Sequence, residues 1–585
     1  MNEILKTTTF MTHPFKHVLL AFTVFCCCLC SLSTLHAQRG RPSSQTPLKP
    51  VSKTYALTNV TVVQAPGKVI TGATVLIKDG LIAAVGTGID IPGEAIRLPA
   101  DSMYVYAGFI DGLSHTGVPR PKEEEERPRV EDPGNPPNEL AGIQPERKLF
   151  DLLDPQDKAI ADMRAAGFTA AHAVPRGRML PGQGAIILLS GESPEEMVLR
   201  EGTSLFSQLE GARGLYPTTV IGVMAKWRQL YRQAKLAQKH ERAFAAQPTG
   251  TKRPVQDPVL QAFYPVINQQ MPVFFRAENL LDAHRVLTLQ NDLGFPLVIA
   301  GLKQGWDLTD KLKGSNIPVF LSLDLPDNKD KDQKGEKADE KGPARGEKPT
   351  DAEMKALKER RMKAYHQYHS QAAAFEKAGI DFGFATYNAK AKDLRTNLRS
   401  MIEHGLSEEV ALAALTTRPA HMLGLSAVMG TVEPGKMANL VVTDNPYFAE
   451  EANIRFVFVD GNKYEFEVKK KKKGDPSAQV NAAGKWSYVT QTPQGSSEGT
   501  IVIEGEPGNL SGTITNSMME EARQLDEVEL EGNELRFTFS VDGGGQTMLI
   551  EVSGIIEGDT FEGTMSVGDF GTFELTAERS PTPNE

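Results

Sequence analysis

The sequence predicts an α/β architecture: a (β/α)8 TIM-type barrel, a composite small β-sandwich built from both flanks of that barrel, and a C-terminal antiparallel all-β domain. Three observations lead there. From about residue 108 to 425, short apolar runs with strand character alternate with helical stretches, the βαβ pattern of a parallel sheet, and a region this long suits an eight-stranded barrel better than one doubly wound sheet. Strands of similar type lie on either side of that region. Beyond residue 480 the apolar runs shorten and glycine becomes frequent, as in a small antiparallel barrel or sandwich.

Taken in order, residues 1–37 read as a signal peptide: Lys6 and Lys16 precede the apolar run Val18 to Leu32, and the small Ala37 follows. All four cysteines (Cys26, Cys27, Cys28 and Cys30) fall inside it, so the processed chain is expected to have neither a disulfide framework nor a cysteine metal site. Residues 38–53, rich in Arg, Pro, Ser and Gln, form a flexible tether. Strands are expected at Leu57 to Gln64, Ala73 to Ile77 and Leu81 to Val85, the last two joined by Lys78-Asp79-Gly80. With Asn439 to Thr443, Arg455 to Val459 and the turn Asp460-Gly461 they make the composite sandwich, 54–106 and 427–468.

The barrel takes residues 107–426. Its clearest strands are Phe168 to Val174, Gly184 to Leu189, Val273 to Arg276, Leu297 to Ile299, Val319 to Leu323 and Phe382 to Ala385. Residues 327–361 form a charged insertion, with 10 acidic and 11 basic residues among 35. The acidic run Glu123 to Glu126 and the prolines after it form a loop. Residues 469–480 are a linker. Residues 481–580 carry an internal repeat, Glu504-Gly505, Glu531-Gly532-Asn533 and Glu557-Gly558-Asp559, each read as a hairpin turn. Trp486, Leu510, Leu535, Phe537, Phe539, Leu549, Phe561 and Phe573 are expected to fill that domain's interior.

Charge narrows the function classes. The 64 Lys and Arg against 74 Asp and Glu leave a net charge of −10, without the basic footprint a nucleic-acid binder needs. No stretch after the leader approaches the 18 apolar residues of a membrane span. The protein is therefore expected to be exported, to the periplasm or outside the cell, with no nucleic-acid partner.

The segment Ala107-Gly108-Phe109-Ile110-Asp111-Gly112-Leu113-Ser114-His115 resembles the opening strand of the amidohydrolase superfamily, in particular its imidazolonepropionase-like members. There a Gly-Phe-Ile-Asp run leads into His-x-His. Glu408 to Leu412, Thr416 to Ala420 and Leu423-Gly424-Leu425 resemble the family's last helices, and Gly430 to Lys436 with Ala438 to Val442 its return to the β-layer. The resemblance spans roughly residues 54–468. It implies metal-dependent hydrolysis of carbon-nitrogen bonds other than peptide bonds, through a divalent metal in the barrel mouth that activates water.

Position by position, the metal ligands implied by the resemblance are replaced. Leu113 stands at the leading histidine of the first strand and leaves His115; Arg276 and Gly301 stand at the next two histidines, and Tyr387 at the aspartate. For the lysine of the fourth strand, Lys226 is the candidate. Neither Leu, Gly nor a cationic Arg ligates a divalent cation. The leading expectation is thus an impaired catalyst with a binding or partner role, without cofactor, paired with an active amidohydrolase relative or with itself. His115, Glu278 and Tyr387 are its candidate catalytic residues. Leu113, His172, Arg276, Gly301 and Trp306 line the ligand site, with Lys303 beside Trp306. The alternative is an active hydrolase rebuilt around His115, His172 and Glu278, with zinc or another divalent metal. A third reading assigns ligand binding to the terminal β-domain.

Overall fold

The computed structural model describes residues 54–120, 130–326, 351–467, 474–492, 495–506, 508–516, 522–543, 546–567 and 571–580. The signal peptide, the tether, the acidic run at 123–126, most of the charged insertion (327–350) and the start of the linker (469–473) lie outside the described residues. The chain divides into two compact units, residues 1–467 and 468–585. Among the described residues no helix is long and apolar enough to cross a membrane.

In the first unit, β1 (Tyr55–Ala65), β2 (Lys68–Lys78), β3 (Leu81–Gly86), β4 (Ile96–Leu98) and β5 (Tyr104–Ala107) precede the barrel. The barrel strands are β6 (Phe109–Ser114), β7 (Phe168–Ala173), β8 (Gly182–Leu188), β9 (Val198–Gln208), β10 (Val273–Arg276), β11 (Leu297–Leu302), β12 (Val319–Ser322) and β13 (Phe382–Ala385). They form one sheet in chain order, β6 to β13. Its two edges meet where the Thr386 amide donates to Leu113 O at 3.2 Å and to Asp111 Oδ1 at 3.0 Å.

The barrel departs from the expected all-parallel (β/α)8 form. β8 runs antiparallel to both β7 and β9, while every other neighbouring pair is parallel. The cause is chain length: only residues 174–181 join β7 to β8 and 189–197 join β8 to β9, and a parallel crossover needs a dozen or more residues. Among the described residues the helices of eight residues or more are α1 (Lys158–Ala165), α2 (Val220–Ala246), α3 (Leu280–Leu293), α4 (Asp351–His369), α5 (Gln371–Ala378), α6 (Leu394–Glu403) and α7 (Glu408–Leu415). Local chemistry sets their ends: the Asn279 side chain caps α3 by accepting from Asp282 N, and Gly294, at φ 76°, terminates it. Residues 351–361, assigned by sequence to the charged insertion, are the first turns of α4, and residues 352–361 are almost all exposed.

The flanks form one continuous hydrogen-bonded sheet, in which β14 (Leu440–Thr443), β15 (Ile454–Val459) and β16 (Asn462–Glu465) extend β5 and β1–β4 through the β14–β5 pair. The sheet folds back on itself: Tyr55 of β1 meets Phe458 of β15 with ring centres 5.6 Å apart, and Ala438 N donates to Gly80 O at 2.8 Å. Its core includes Leu57, Val60, Val75, Leu440 and Phe458. Both expected turns form, with Asp79 and Asp460 at φ 51° and 50° and Gly80 and Gly461 at φ 80° and 75°.

The second unit carries β17 (Gly484–Thr492), β18 (Gly495–Glu506), β19 (Asn509–Asn516), β20 (Arg523–Gln524), β21 (Asp526–Glu531), β22 (Glu534–Gly543), β23 (Gln546–Glu557), β24 (Thr560–Val567) and β25 (Gly571–Arg579). Every pair is antiparallel and sequential, and β25 pairs back onto β17. β20 and β21 are one strand broken at the buried Leu525 and hold β19 on one side and β22 on the other, which closes an up-and-down barrel. Gly532 and Gly558 sit in hairpin turns at φ 61° and 62°. Gly505 instead lies within β18, opposite Leu510. Trp486, Leu535, Phe537, Phe539 and Phe561 are buried, but Leu510 and Phe573 are half-buried and Leu549 is 48% exposed, on the outer face.

Candidate functional site

The site lies at the C-terminal ends of the barrel strands, above a filled interior. Leu113, Val174, Phe206, Phe274, Val298, Ala300, Phe320 and Ala385 form a buried apolar cluster, with Tyr387 packed against it. Alternation along β10 explains the next layer: Phe274 belongs to this cluster and Phe275 to the core outside the barrel. Arg276, two residues beyond Phe274, takes the same inward side at the strand's end.

Arg276 organises the mouth. Its Nη2 donates to Glu278 Oε1 and its Nη1 to Gln208 Oε1 at 3.1 Å. Its guanidinium carbon lies 4.6 Å from the centre of the Tyr387 ring. The Tyr387 hydroxyl donates to Gln208 Oε1 at 3.4 Å, and Asn388 Nδ2 to Glu278 Oε1 at 3.2 Å. Burial pushes the Tyr387 phenol up to about 12, so it stays protonated.

His115 sits beside this cluster, its ring 4.3 Å from that of Tyr387. Its Nδ1 is 2.8 Å from the Val174 carbonyl, which only accepts, so Nδ1 carries the proton and Nε2 a lone pair. Burial, then the nearby Arg176, lowers its pKa to about 3, with Arg276 and Arg120 adding to the effect. The imidazole is neutral, and the charges bearing on it are cations.

His172 does not join it. The ring is fully buried one layer down, packed 4.1 Å from Phe274, with Nδ1 3.1 Å from Gly112 O and Nε2 2.9 Å from Ser204 Oγ. Gly301 holds φ 73° at the end of β11, a backbone state that side-chain-bearing residues avoid. Trp306 stands in a single turn after β11 and meets Tyr368 of α4 edge-on at 5.4 Å, while Lys303 pairs with Asp324. Lys226 is on α2, not on a barrel strand.

Sequence reasoning missed Gln208, because the first half of β9 is solvent-facing and reads as loop. It also missed Arg176, whose Nε donates to Val118 O at 2.8 Å, and the role of Asp111. Fully buried, Asp111 accepts from Leu113 N at 3.2 Å and from both the amide and the hydroxyl of Thr386, joining the first barrel strand to the last.

The donor set does not fit a divalent cation. Among the described residues no three His, Cys, Asp or Glu side chains gather at ligating distance. Of the positions marked by the resemblance His115 alone offers an imidazole or carboxylate, the Tyr387 phenol stays protonated, and the Arg276 charge opposes a cation there. The trio His115, His172 and Glu278 is not assembled: His172 is held by Gly112 and Ser204, and Glu278 by Arg276 and Asn388.

The sequence model of the amidohydrolase family matches residues 336–464. The fold is similar to the crystal structure of an amidohydrolase from Thermotoga maritima MSB8, at 23% identity and a TM-score of 0.56, covering 70% of this chain and 100% of that one. A prolidase solved with N-methylphosphonate-L-proline matches at 15% identity and a TM-score of 0.42, over 71% of this chain and 100% of its own. None of the curated proteins compared matches.

Proposed function

We propose that this protein, whose first unit has the amidohydrolase fold, is exported and binds a small organic anion at its barrel mouth in place of metal-dependent hydrolysis. The observation that supports the reading is Arg276, inward at the end of β10 and held by Glu278, Gln208 and the Tyr387 ring. With Arg176 and Arg120 it outweighs Glu278 in the surroundings of His115, so the mouth favours an anion. The ligand's charged group would meet the guanidinium groups, and a donor on the ligand would meet the lone pair of His115 Nε2. A partner role beside an active relative is compatible with the same site.

Two measurements decide it. Calorimetric titration with N-acetylglycine and succinate is expected to show binding that Arg276→Gln weakens at least tenfold, whereas equal affinity for the variant would refute the site. Turnover of amide, ester or lactam substrates with zinc or manganese supplied, abolished by His115→Ala, would establish a hydrolase instead.

A further inference from the structure

A second cluster of imidazoles stands apart from the barrel mouth, where the end of α4 meets the end of α6. His366 Nδ1 and His404 Nε2 are 3.0 Å apart, their rings 5.2 Å between centres and tilted by 43°. His404 Nδ1 is 2.7 Å from the Ser400 carbonyl, which only accepts. The proton is therefore on Nδ1, and Nε2 presents its lone pair to His366. The Tyr365 ring lies 5.7 Å from His366 and 5.6 Å from His404, and its hydroxyl is 3.2 Å from Ser400 Oγ, which fixes the edge of the pair. His369 is buried with Nε2 directed to the Pro326 carbonyl at 3.0 Å.

We propose that His366 and His404 form a two-histidine site for a divalent transition metal, Cu2+ ahead of Zn2+ and Ni2+, with water completing the coordination. With metal–nitrogen bonds of about 2.0–2.1 Å, ligand nitrogens are about 3.3 Å apart around a tetrahedral ion and about 2.9 Å apart in a square-planar one. The observed 3.0 Å lies between them, so the nitrogen spacing suits the metal; the rings turn to aim both lone pairs at it, and the proton that His366 Nδ1 donates passes through solvent to Nε2 of the same ring, which stays neutral. The hydrogen bond from His404 to a backbone carbonyl is the outer support that orients a metal-bound imidazole and raises its basicity. His366 is exposed and His404 half-buried, which gives the ion access from solvent. Among the described residues no third His, Cys, Asp or Glu completes the set, so imidazole preference and the Irving–Williams order select Cu2+.

The site's consequence follows from α4. Residues 352–361 of that helix are almost all exposed, and it buries side chains only toward its last turns. A metal held by His366 and His404 would pin that end of α4 to the end of α6. The site rests on none of the residues of the barrel mouth, so the two proposals fail separately.

The test is Cu2+ titration of the tag-free, chelator-stripped chain by calorimetry, with electron paramagnetic resonance of the product. About one equivalent bound below roughly 10 μM is expected, with hyperfine structure from two imidazole nitrogens. His366→Gln and His404→Gln should each weaken binding at least tenfold, and His284→Gln, at a half-buried imidazole beside Lys311, should leave it unchanged. Because His366 is exposed, His366→Gln decides the matter if His404→Gln fails to fold. Copper binding unaltered in His366→Gln, or none in the wild-type chain, overturns the proposal.

Discussion

At the scale of residues, Asp111 controls more than its place in a strand suggests. It is buried without a cation beside it, and burial raises its pKa to about 7 against the bonds from Thr386, Leu113 and Ser114, which lower it. The sign follows: the unfolded chain loses this proton near pH 4, the folded chain near 7, so this group's contribution to stability falls as pH rises from about 4 to about 7 and is flat above. His115 and His172, lowered to about 3 and about 4, act the other way, with stability lost as pH falls below about 6.5. Urea denaturation at pH 5 and pH 8 separates these effects, because Asp111→Asn should remove only the loss on raising pH. Asp111→Ala takes the acceptor from the buried Leu113 amide and the buried Thr386 hydroxyl and should cost about 3 kcal/mol or more at either pH. Much of this residue's surroundings was legible in the motif from Gly108 to His115. That His115 and His172 turn to different partners was not, because register shifts between β6 and β7 decide which way each side chain points.

At the scale of elements, the strand pattern was legible wherever both faces are buried, since a continuous apolar run then marks the strand: β10 and β13 fall on their expected limits. β9 was not, because Arg200, Glu201 and Gly202 interrupt it on its exposed half, and with it went Gln208, one of the Arg276 partners. The reversal of β8 was written in the chain all the same, in linkers too short for a parallel crossover. The packing of β6 against β12 is stricter than its sequence shows: a Cβ on Gly112 would lie 1.9 Å from Phe320 Cδ1. Phe320 is fully buried in the barrel interior and has nowhere to retreat. Gly112→Ala should therefore destabilise the first unit by about 3 kcal/mol, and pairing it with Phe320→Leu should recover part of the loss. Equal thermal stability of Gly112→Ala and wild type would contradict this packing.

At the scale of the whole molecule, the division at residue 467 gives each unit its own sheets and its own core. The second unit closes on itself, and its interior is filled: the void bounded by Trp486, Ile501, Ile503, Leu535, Phe537, Phe561 and Ala577 is ≈ 10 Å³, about the size of one water probe. That argues against an apolar ligand inside this barrel. It also makes the unit a separate cooperative element whose stability rests on the large aromatic at its centre. Trp486 is 2% exposed, with the Arg579 guanidinium carbon 4.4 Å from its ring centre and its indole N–H donated to Ala482 O at 3.0 Å. Trp486→Ala removes burial, the cation contact and that hydrogen bond together, a loss of about 3–5 kcal/mol. For a domain of this size the melting temperature should fall by more than about 10 °C. If the units unfold independently, calorimetry of the full chain should show one transition displaced and another, belonging to the amidohydrolase-fold unit, left in place. The Arg276-dependent binding should survive with it. A single transition that moves as a whole would mean that the two cores melt as one.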